Sequence, residues 1–491
     1  MQLSERPGRE NTRAADFIGG GQLTSIDTTA DATVELSSPR GRFFGEPGIL
    51  AYLAFTEAWE RFSFYGMTAL LVLYMTQSLL LAPHLGHIAG FSTFRAGLEG
   101  VFGKMSTLAL ASQIMGLYTG LVYFTPVLGG LIADRLIGRK LAVILGAVLM
   151  SAGHLLMAFD ASFLAALAFL IVGCGLLKGN ISSQVGELYA ETDGEGRTRG
   201  FAIFSTGINV GAVLGPLLCG LLAQIWGWHA GFALAGVLML AGLATYALGY
   251  RHLPADRPRR RDTEPHIPLT PDELKVVLAI GAAAAITIFQ SIAYSQNVNM
   301  NLIWIDRSVD LNVLGFHVPV AWFNSVDSAV SILGIPLVFL VWRWQDAHGG
   351  EPSDLGKIGQ GAFMAAVANL VLVAACLIGG RVSILWPLAY DAILGIAFLY
   401  YWPTTLALVS RTAPQRLKAT LMGAIFLSNF VADFLVGWLG SFYEHMSPAA
   451  FWALHAAIAA AGAVLAYAFA RPLMRVLEPR VARGPATAAN T

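Results

Sequence analysis

Apolar stretches recur along most of this chain, and short polar connections separate them. A helix needs about 20 mainly apolar residues to cross the hydrocarbon core of a bilayer. By that measure the sequence contains twelve candidate spans, which predict an all-α membrane protein. The predicted spans cover residues 49–78, 105–132, 140–159, 162–181, 200–225, 231–250, 274–300, 318–342, 358–378, 384–410, 416–442 and 449–470.

Polar stretches divide the chain into two halves. The N-terminal stretch is rich in Ser, Thr, Asp and Arg, lacks the apolar core of a signal peptide, and has a composition that favours disorder. The longest later interruption follows the sixth span, which predicts two six-helix bundles. The predicted domains are a disordered cytoplasmic tail (1–45), an N-terminal bundle (46–250), a cytoplasmic linker (251–273), a C-terminal bundle (274–472) and a second cytoplasmic tail (473–491).

Basic residues are distributed unevenly between the two sets of connections. Connections after even-numbered spans hold clusters of Arg and Lys, while the opposite connections hold few. Because cytoplasmic loops are enriched in Lys and Arg, both termini are predicted to lie on the cytoplasmic side of the inner (plasma) membrane. The residues that carry this bias are Arg135, Arg139, Lys140, Arg197, Arg199, Arg343, Arg411, Arg416 and Lys418, with the linker arginines.

Composition narrows the class of function. Hydrophobic residues make up 56% of the 491 residues and charged residues only 13%, about half the share in soluble domains. The lipid bilayer is the expected partner, and a formal net charge of +0 gives no reason to expect nucleic acid. No H-E-x-x-H, G-x-S-x-G or P-loop pattern occurs, so we expect neither an enzyme nor a metal site. We expect a monomer without a cofactor.

Three charged residues interrupt the first apolar span: Glu57, Glu60 and Arg61. A charge near the bilayer centre costs about 2.5–3.5 kcal/mol or more, so this face must look into a bundle or an aqueous cavity. Spacings of three and four residues place the three side chains on one helix face. A structural ion pair between helices is one interpretation. A surplus acid beside a pair fits that interpretation less well than it fits proton transfer.

A lone cation, Lys178, lies in the fourth span, on a different helix from the acids. A lysine in such a place needs an acid partner or a lowered affinity for its proton. Two acids and two cations can exchange partners, so protonation of one acid frees a cation. The residues Glu57, Glu60, Arg61 and Lys178 are therefore predicted to couple the protein to protons.

The connection after the second span carries a motif. Residues 130–140 have the pattern G-x-x-x-D-R-x-x-G-R-K, and they join two spans in a chain of six plus six. This pattern resembles the loop signature of the major facilitator superfamily. The resemblance implies that Asp134, Arg135 and Arg139 clamp the cytoplasmic helix ends in the outward-open state.

Further phrases narrow the resemblance. The first span reads E-x-x-E-R-F-x-x-Y-G over residues 57–66, and the fourth ends with K-G-N at residues 178–180. The phrase F-S-T-G-I-N-V-G covers residues 204–211, and T-A-P-Q-R-L-K-A-T-L-M-G covers residues 412–423. From about residue 53 to residue 473, the chain resembles a divergent member of the proton-dependent oligopeptide transporter (POT, peptide transporter) family.

This resemblance implies a proton-coupled symporter that imports di- and tripeptides by alternating access. It assigns proton coupling to the four residues Glu57, Glu60, Arg61 and Lys178. It also implies a set of substrate contacts on helices one, two, four and five, namely Arg61, Tyr65, Tyr123, Lys178 and Asn209. Tyr and Asn also serve as hydrogen-bonding groups between membrane helices, and that alternative stays open for these positions.

The second half departs from the family pattern. The acids that are usual in helices seven and ten are replaced by Ser295 and Phe398. Helix eight gains an acid, Asp327, which is predicted to be a substrate-binding residue. Asp391 and Asp433 also lie in apolar spans, where each is either a packing group or a second proton site.

These departures leave the substrate open between two classes. A peptide amino group could use Asp327, whereas a small organic anion or an amino-acid derivative could use Arg61 and Lys178. A membrane receptor that binds its ligand without transport is the alternative from another class. Uptake into liposomes separates a receptor from a transporter.

Overall fold

The structure, a computed structural model, describes residues 41–190, 193–254, 256 and 268–477. The disorder predicted for the N-terminal tail up to residue 40 therefore lies outside the described residues. Most of the predicted linker and the end of the predicted C-terminal tail lie outside them as well.

Long helices account for most of the described residues, and the predicted all-α fold is confirmed. Twelve of the described helices have 18 residues or more, and we number them in chain order. They are α1 (Ile49–Tyr74), α2 (Thr107–Ile132), α3 (Arg139–Leu156), α4 (Phe163–Glu187), α5 (Gly194–Trp226), α6 (Trp228–Gly249), α7 (Pro271–Ser295), α8 (Phe323–Gly349), α9 (Asp354–Ile378), α10 (Leu385–Thr412), α11 (Lys418–Gly440) and α12 (Pro448–Leu477).

Eleven of these described helices are long and apolar enough to cross a membrane by length and composition alone. Helix α1 has 26 residues and is mostly buried, but Glu57, Glu60 and Arg61 interrupt its apolar sequence. Helix α1 can therefore lie in the membrane only if neighbouring helices cover those charges.

Short elements join the long helices, and the apolar pattern does not predict them. Turns of π-helix extend α1 and α2 over Met75–Leu79 and Ala133–Ile137. Further short helices cover Ala82–Leu85, Phe91–Phe102 and Met300–Ser308, with 3-10 turns at Asp160–Ser162, Tyr250–His252, Gln296–Val298, Val320–Trp322, Gln415–Leu417 and Tyr443–His445. Two-residue strands pair Arg42–Phe43 with Glu46–Pro47 and Asn312–Val313 with Phe316–His317, both antiparallel, and Val309–Asp310 with Val382–Ser383 in parallel.

Local capping explains why some helices begin before the predicted apolar spans. At the start of α7, the Glu273 backbone N–H donates to the Thr270 hydroxyl at 3.3 Å, and the Thr270 N–H donates to the Glu273 carboxylate at 2.9 Å. This reciprocal pair is a capping box, and Pro271 occupies the first turn. At α5, the Gly196 N–H donates to Asp193 at 2.8 Å. Both helices therefore start in polar sequence, ahead of residues 274 and 200.

The long helices pack as two groups, α1–α6 and α7–α12. In the first half, α1 packs against α5 and α6, and α3 packs against α4. In the second half, α9 packs against α10 and α12, and α8 packs against α10. The halves meet mainly along two helix pairs, α2 with α11 and α5 with α8. We call these contacts the seam.

The two halves close on each other at the end of the bundle away from Ile49 and Leu477. There the Asn299 amide donates to the Ser112 hydroxyl at 2.8 Å, and the Trp322 indole donates to the Leu217 carbonyl at 2.8 Å. The Gln77 amide donates to Asp306 at 2.9 Å. Burial raises the pKa of the Asp306 carboxyl, and the hydrogen bond from Gln77 opposes that rise. These three hydrogen bonds between the two halves lie at this end.

Glycines permit the closest approach within the seam. A Cβ on Gly116 of α2 would lie 2.7 Å from the Gly437 Cα of α11, which is closer than a carbon atom tolerates. Gly437 is crowded in turn, since its Cβ would lie 3.0 Å from the Ser112 carbonyl oxygen. The two helices therefore meet backbone to backbone, as small residues allow in membrane bundles.

We predict that Gly116→Ala lowers the thermal unfolding midpoint of the purified protein by several degrees. The added methyl overpacks the seam, which costs about 1–3 kcal/mol. The matched control is Gly281→Ala on α7, where a Cβ meets nothing within 4 Å. Equal midpoints for the two variants in a fluorescence melt would show that the seam tolerates the extra atom.

Candidate functional site

The charged residues of α1 form a buried cluster at the core of the N-terminal half. Glu57, Glu60 and Arg61 are 2%, 0% and 3% exposed. The Arg61 Nε lies 3.2 Å from the Glu57 carboxylate and also donates to the Glu60 carboxylate. The predicted spacing on one helix face is therefore realised as contact, with one guanidinium between two acids.

Some hydrogen-bonding atoms of the cluster have no partner among the described residues. Glu57 Oε2, Glu60 Oε1 and Arg61 Nη2 are buried and have no hydrogen-bond partner among the described residues. Two carboxylates and one guanidinium also carry a surplus negative charge when both acids are ionised. A buried charge needs a partner or a proton, so the cluster can accept a proton or a second cation.

The second cation, Lys178, approaches from α4. Its ammonium lies 4.8 Å from the centre of the Tyr123 ring on α2, in a cation–π contact. Lys178 is half-buried, and none of the ion pairs between described residues includes it. It lies within electrostatic range of Glu57. The structure thus brings together all four residues predicted to couple to protons, with Lys178 held on an aromatic ring instead of on an acid.

Tyr65 of α1 lies at the edge of the same cluster and is half-buried. It is within electrostatic range of both Arg61 and Asp327, so it faces the charged groups of both halves. Asn209 of α5 is also half-buried. Two residues later, a Cβ on Gly211 would lie 2.7 Å from the Ala58 carbonyl oxygen, so α5 packs tightly against α1 there. Because residues two apart lie on opposite sides of a helix, this contact does not bring the Asn209 side chain to the cluster.

Asp327 of α8 is 5% exposed and is the acid of the C-terminal half that faces this space. The Tyr294 hydroxyl of α7 donates to its carboxylate at 2.6 Å. The Ser328 hydroxyl contacts the other oxygen at 3.3 Å. No ion pair between described residues includes Asp327, so hydrogen bonds alone hold its carboxylate in place.

The positions that lack the usual family acids are occupied differently. The Phe398 ring of α10 stacks on Tyr294 with centroids 5.5 Å apart, and it meets Tyr401 edge-on at 6.1 Å. Phe398 thus packs against Tyr294, the residue that donates a hydrogen bond to Asp327. Ser295 of α7 is a neighbour of Asp433, so a carboxylate from α11 lies near the position that lacks the family acid.

Asp391 of α10 is 0% exposed, more enclosed than Asp327 and Asp433 of the same half. The Asn301 amide reaches its carboxylate at 3.4 Å and also donates to Asn297 at 3.0 Å. Asp391 Oδ2 has no partner among the described residues. These contacts lie within the C-terminal half and are those of a packing group.

The loop motif forms an ion-pair cluster at the far end of α2. Arg139 lies 3.0 Å from Asp134 and also contacts Glu187 at the end of α4. Arg135 is exposed on the turn of π-helix, and its side chain makes no hydrogen bond or ion pair with another described residue. The structure therefore connects Asp134 and Arg139 to α4 through Glu187, and it leaves Arg135 outside the cluster.

Several residues around the site were not predicted from sequence. Tyr294 holds Asp327, Glu187 completes the loop cluster, and Asn297 lies within hydrogen-bond reach of Asp327. Polar residues inside apolar spans are the signal that marks Tyr294 and Asn297. Glu187 carried no such signal, because it lies at a helix end in polar sequence.

Comparison with known proteins defines the class. The family model of the Major Facilitator Superfamily matches residues 53–437. The chain therefore belongs to the Major Facilitator Superfamily, a class of membrane transporters and not of enzymes.

Two relatives within the superfamily are named as peptide transporters. The chain is 28% identical to the peptide transporter YePEPT of Yersinia enterocolitica over 482 residues, which cover 82% of this chain and 89% of that protein. It is 26% identical to the di-/tripeptide transporter of Lactococcus lactis over 511 residues, which cover 90% and 99%. A crystal structure of the peptide transporter POT in complex with sulfate matches with a TM-score of 0.76 and 27% identity, covering 90% of this chain and 98% of that one. The predicted resemblance to POT transporters is confirmed.

We predict that Arg61→Met destabilises the protein strongly, because it leaves two buried carboxylates without their cation. Breaking a buried pair by removing one partner costs about 3–5 kcal/mol. Adding Glu60→Gln to Arg61→Met should recover part of the loss. Thermal melts check this, with Arg343→Met on the exposed part of α8 as the control. A double variant no more stable than Arg61→Met would show that charge pairing is not what Arg61 contributes.

Proposed function

We propose that this protein is a proton-coupled symporter that imports di- and tripeptides by alternating access. The observation that carries the proposal is the buried cluster of Glu57, Glu60 and Arg61 with Lys178 close by. In a superfamily of transporters, titratable groups inside the membrane mark ion pathways and proton relays. The names of the relatives support a peptide substrate.

The proton acts through the distribution of charge in the cluster. With both acids ionised, Arg61 and Lys178 balance two negative charges. Protonation of one glutamate leaves a cation in excess, and Lys178 is the cation without an ion-pair partner among the described residues. Lys178 then becomes available to an anionic group of the substrate. Proton binding and substrate binding thereby favour each other.

A zwitterionic peptide fits the arrangement of charges across the two halves. Its carboxylate is complementary to Arg61 and Lys178 in the N-terminal half. Its amino group is complementary to Asp327 in the C-terminal half, and Tyr65 lies within electrostatic range of Arg61 and Asp327. A ligand that bridges the halves favours the conformation in which they approach, which is the step alternating access requires.

The proposal includes a location and an orientation. The protein would lie in the inner (plasma) membrane as a monomer surrounded by lipid, with both termini cytoplasmic and the proton as its coupling ion. In that orientation the closed end of the seam would face outward.

A small organic anion is the second candidate substrate. One observation favours it: Arg61 Nη2 is unpartnered among the described residues, while the helix-ten acid of the family is replaced by Phe398. An anion would engage Arg61 and Lys178 without needing Asp327.

We predict that Lys178→Ala abolishes peptide accumulation driven by a proton gradient in proteoliposomes. The variant lacks the cation that protonation is proposed to release.

Uphill uptake should also be lost in Glu57→Gln, in Glu60→Gln and in the double variant, because these changes remove the proposed proton-binding groups. Counterflow, which needs no net proton movement, should continue in these glutamate variants. Lys104→Ala, an exposed loop change, serves as the control. Uphill uptake at wild-type rates by Lys178→Ala and by all three glutamate variants would place proton coupling elsewhere.

We predict that Asp327→Asn weakens binding of a dipeptide much more than binding of its N-acetyl form. Acetylation removes the positive charge that Asp327 is proposed to attract, so the variant has less to lose with that ligand. Binding titrations with wild type, Asp327→Asn and the same-helix control Asp346→Asn check this. Equal losses for the two ligands would remove the amine-anchor role, and no binding of either ligand to wild type would favour the anion candidate.

A further inference from the structure

A second carboxylate lies where the two halves meet. Asp433 of α11 is 3% exposed, and its side chain is directed toward α2. A Cβ on Gly120 of α2 would lie 3.6 Å from the Asp433 Cβ. The hydroxyl-bearing residues Thr119 on α2 and Ser295 on α7 are neighbours of its carboxylate. Asp433 is therefore an acid of the C-terminal half embedded in the surface of the N-terminal half.

The charged and titratable groups around Asp433 come from three other helices. Lys178 of α4 is the cation: its ammonium lies on the ring of Tyr123, three residues along α2 from Gly120, against which Asp433 packs. Tyr123 of α2 and Tyr401 of α10 are the phenols within range, and Ser295 is the polar group of α7. Tyr123 stands beside both charged groups, because its ring holds the Lys178 ammonium at 4.8 Å.

Lys178 therefore has an acid within electrostatic range in each half, Glu57 in its own and Asp433 in the other. No ion pair between described residues includes Lys178 or Asp433. A buried carboxylate is stable either with a cation nearby or with a proton bound. For Asp433, the nearby cation is one that belongs to the opposite half and to the proton-coupling cluster.

We propose that Asp433 is a second proton-binding residue that acts across the seam by competing with Glu57 for Lys178. Ionised Asp433 attracts Lys178 and holds α4 and α11 together. Protonated Asp433 releases Lys178 to Glu57 and loosens the seam. The proton taken up by the C-terminal half thus changes the charge available in the N-terminal half. This inference rests on the proposed proton-coupled transport and adds a residue to it.

The decisive experiment measures the interaction between the two residues without depending on transport. Thermal midpoints are compared for wild type, Asp433→Asn, Lys178→Met and the double variant, at alkaline and at acidic pH. The attraction requires an ionised Asp433, so it is present at alkaline pH and is lost as the pH falls and the carboxylate is protonated. We expect the two changes to be non-additive at alkaline pH by a few degrees and additive at acidic pH.

Additivity at both pH values would overturn the proposal. The control pair combines Asp391→Asn with Lys178→Met, because Asp391 is as buried as Asp433 but its contacts lie within the C-terminal half. This control pair should be additive at both pH values. If it shows the same non-additivity, the effect is a general one of removing buried charge and not a specific pair, which also overturns the proposal.

Transport assays then separate this inference from the proposed function. Asp433→Asn should lose uphill peptide uptake and keep counterflow, while Asp433→Glu, which keeps the titrating group, should recover part of the uptake. Wild-type uphill uptake by Asp433→Asn would overturn the role of Asp433 and leave the proposed function standing. A wild-type protein that transports no peptide, together with a pH-dependent interaction between Lys178 and Asp433, would instead overturn the peptide proposal and keep the cross-seam pair.

Discussion

One guanidinium between two glutamates inside a membrane helix constrains the rest of this structure. Arg61, Glu57 and Glu60 cannot face lipid at an acceptable free energy, so other helices must cover α1. Helices α5 and α6 provide that cover, and α5 approaches so closely that Gly211 has no room for a side chain. The glycines of α5 thus permit a backbone contact with α1 that keeps lipid away from the charged side chains.

The fold was predictable from sequence to the extent that it depends on apolar length. Hydrocarbon thickness determines how many apolar residues a span needs, and that rule found all twelve long helices of the described residues. It did not find helix ends, because backbone hydrogen bonding continues beyond the bilayer. The polar starts of α5 and α7 depend instead on the caps at Asp193 and Thr270.

The candidate site was predictable where it depends on one helix and less so where helices meet. Spacing of three and four residues was enough to place Glu57, Glu60 and Arg61 together. No spacing rule connects Tyr294 to Asp327, or Lys178 to the Tyr123 ring, because these contacts depend on how helices are rotated against each other. Asp433 shows the same limit: its sequence context left a packing group and a second proton site open, and its position in the seam favours the second.

The contact between Gly116 and Gly437 has a consequence for motion. Interlocked side chains give a helix pair a few deep, separate energy minima, and two glycines at a contact leave no side chains there to interlock. A change in the angle between α2 and α11 at this point therefore withdraws no side chain of Gly116 or Gly437 from a pocket, although it disturbs the hydrogen bond that the Ser112 hydroxyl donates to the Gly437 carbonyl at 3.0 Å. We therefore expect this contact to contribute little to which end of the protein is open. A small number of polar contacts and charges elsewhere would decide that.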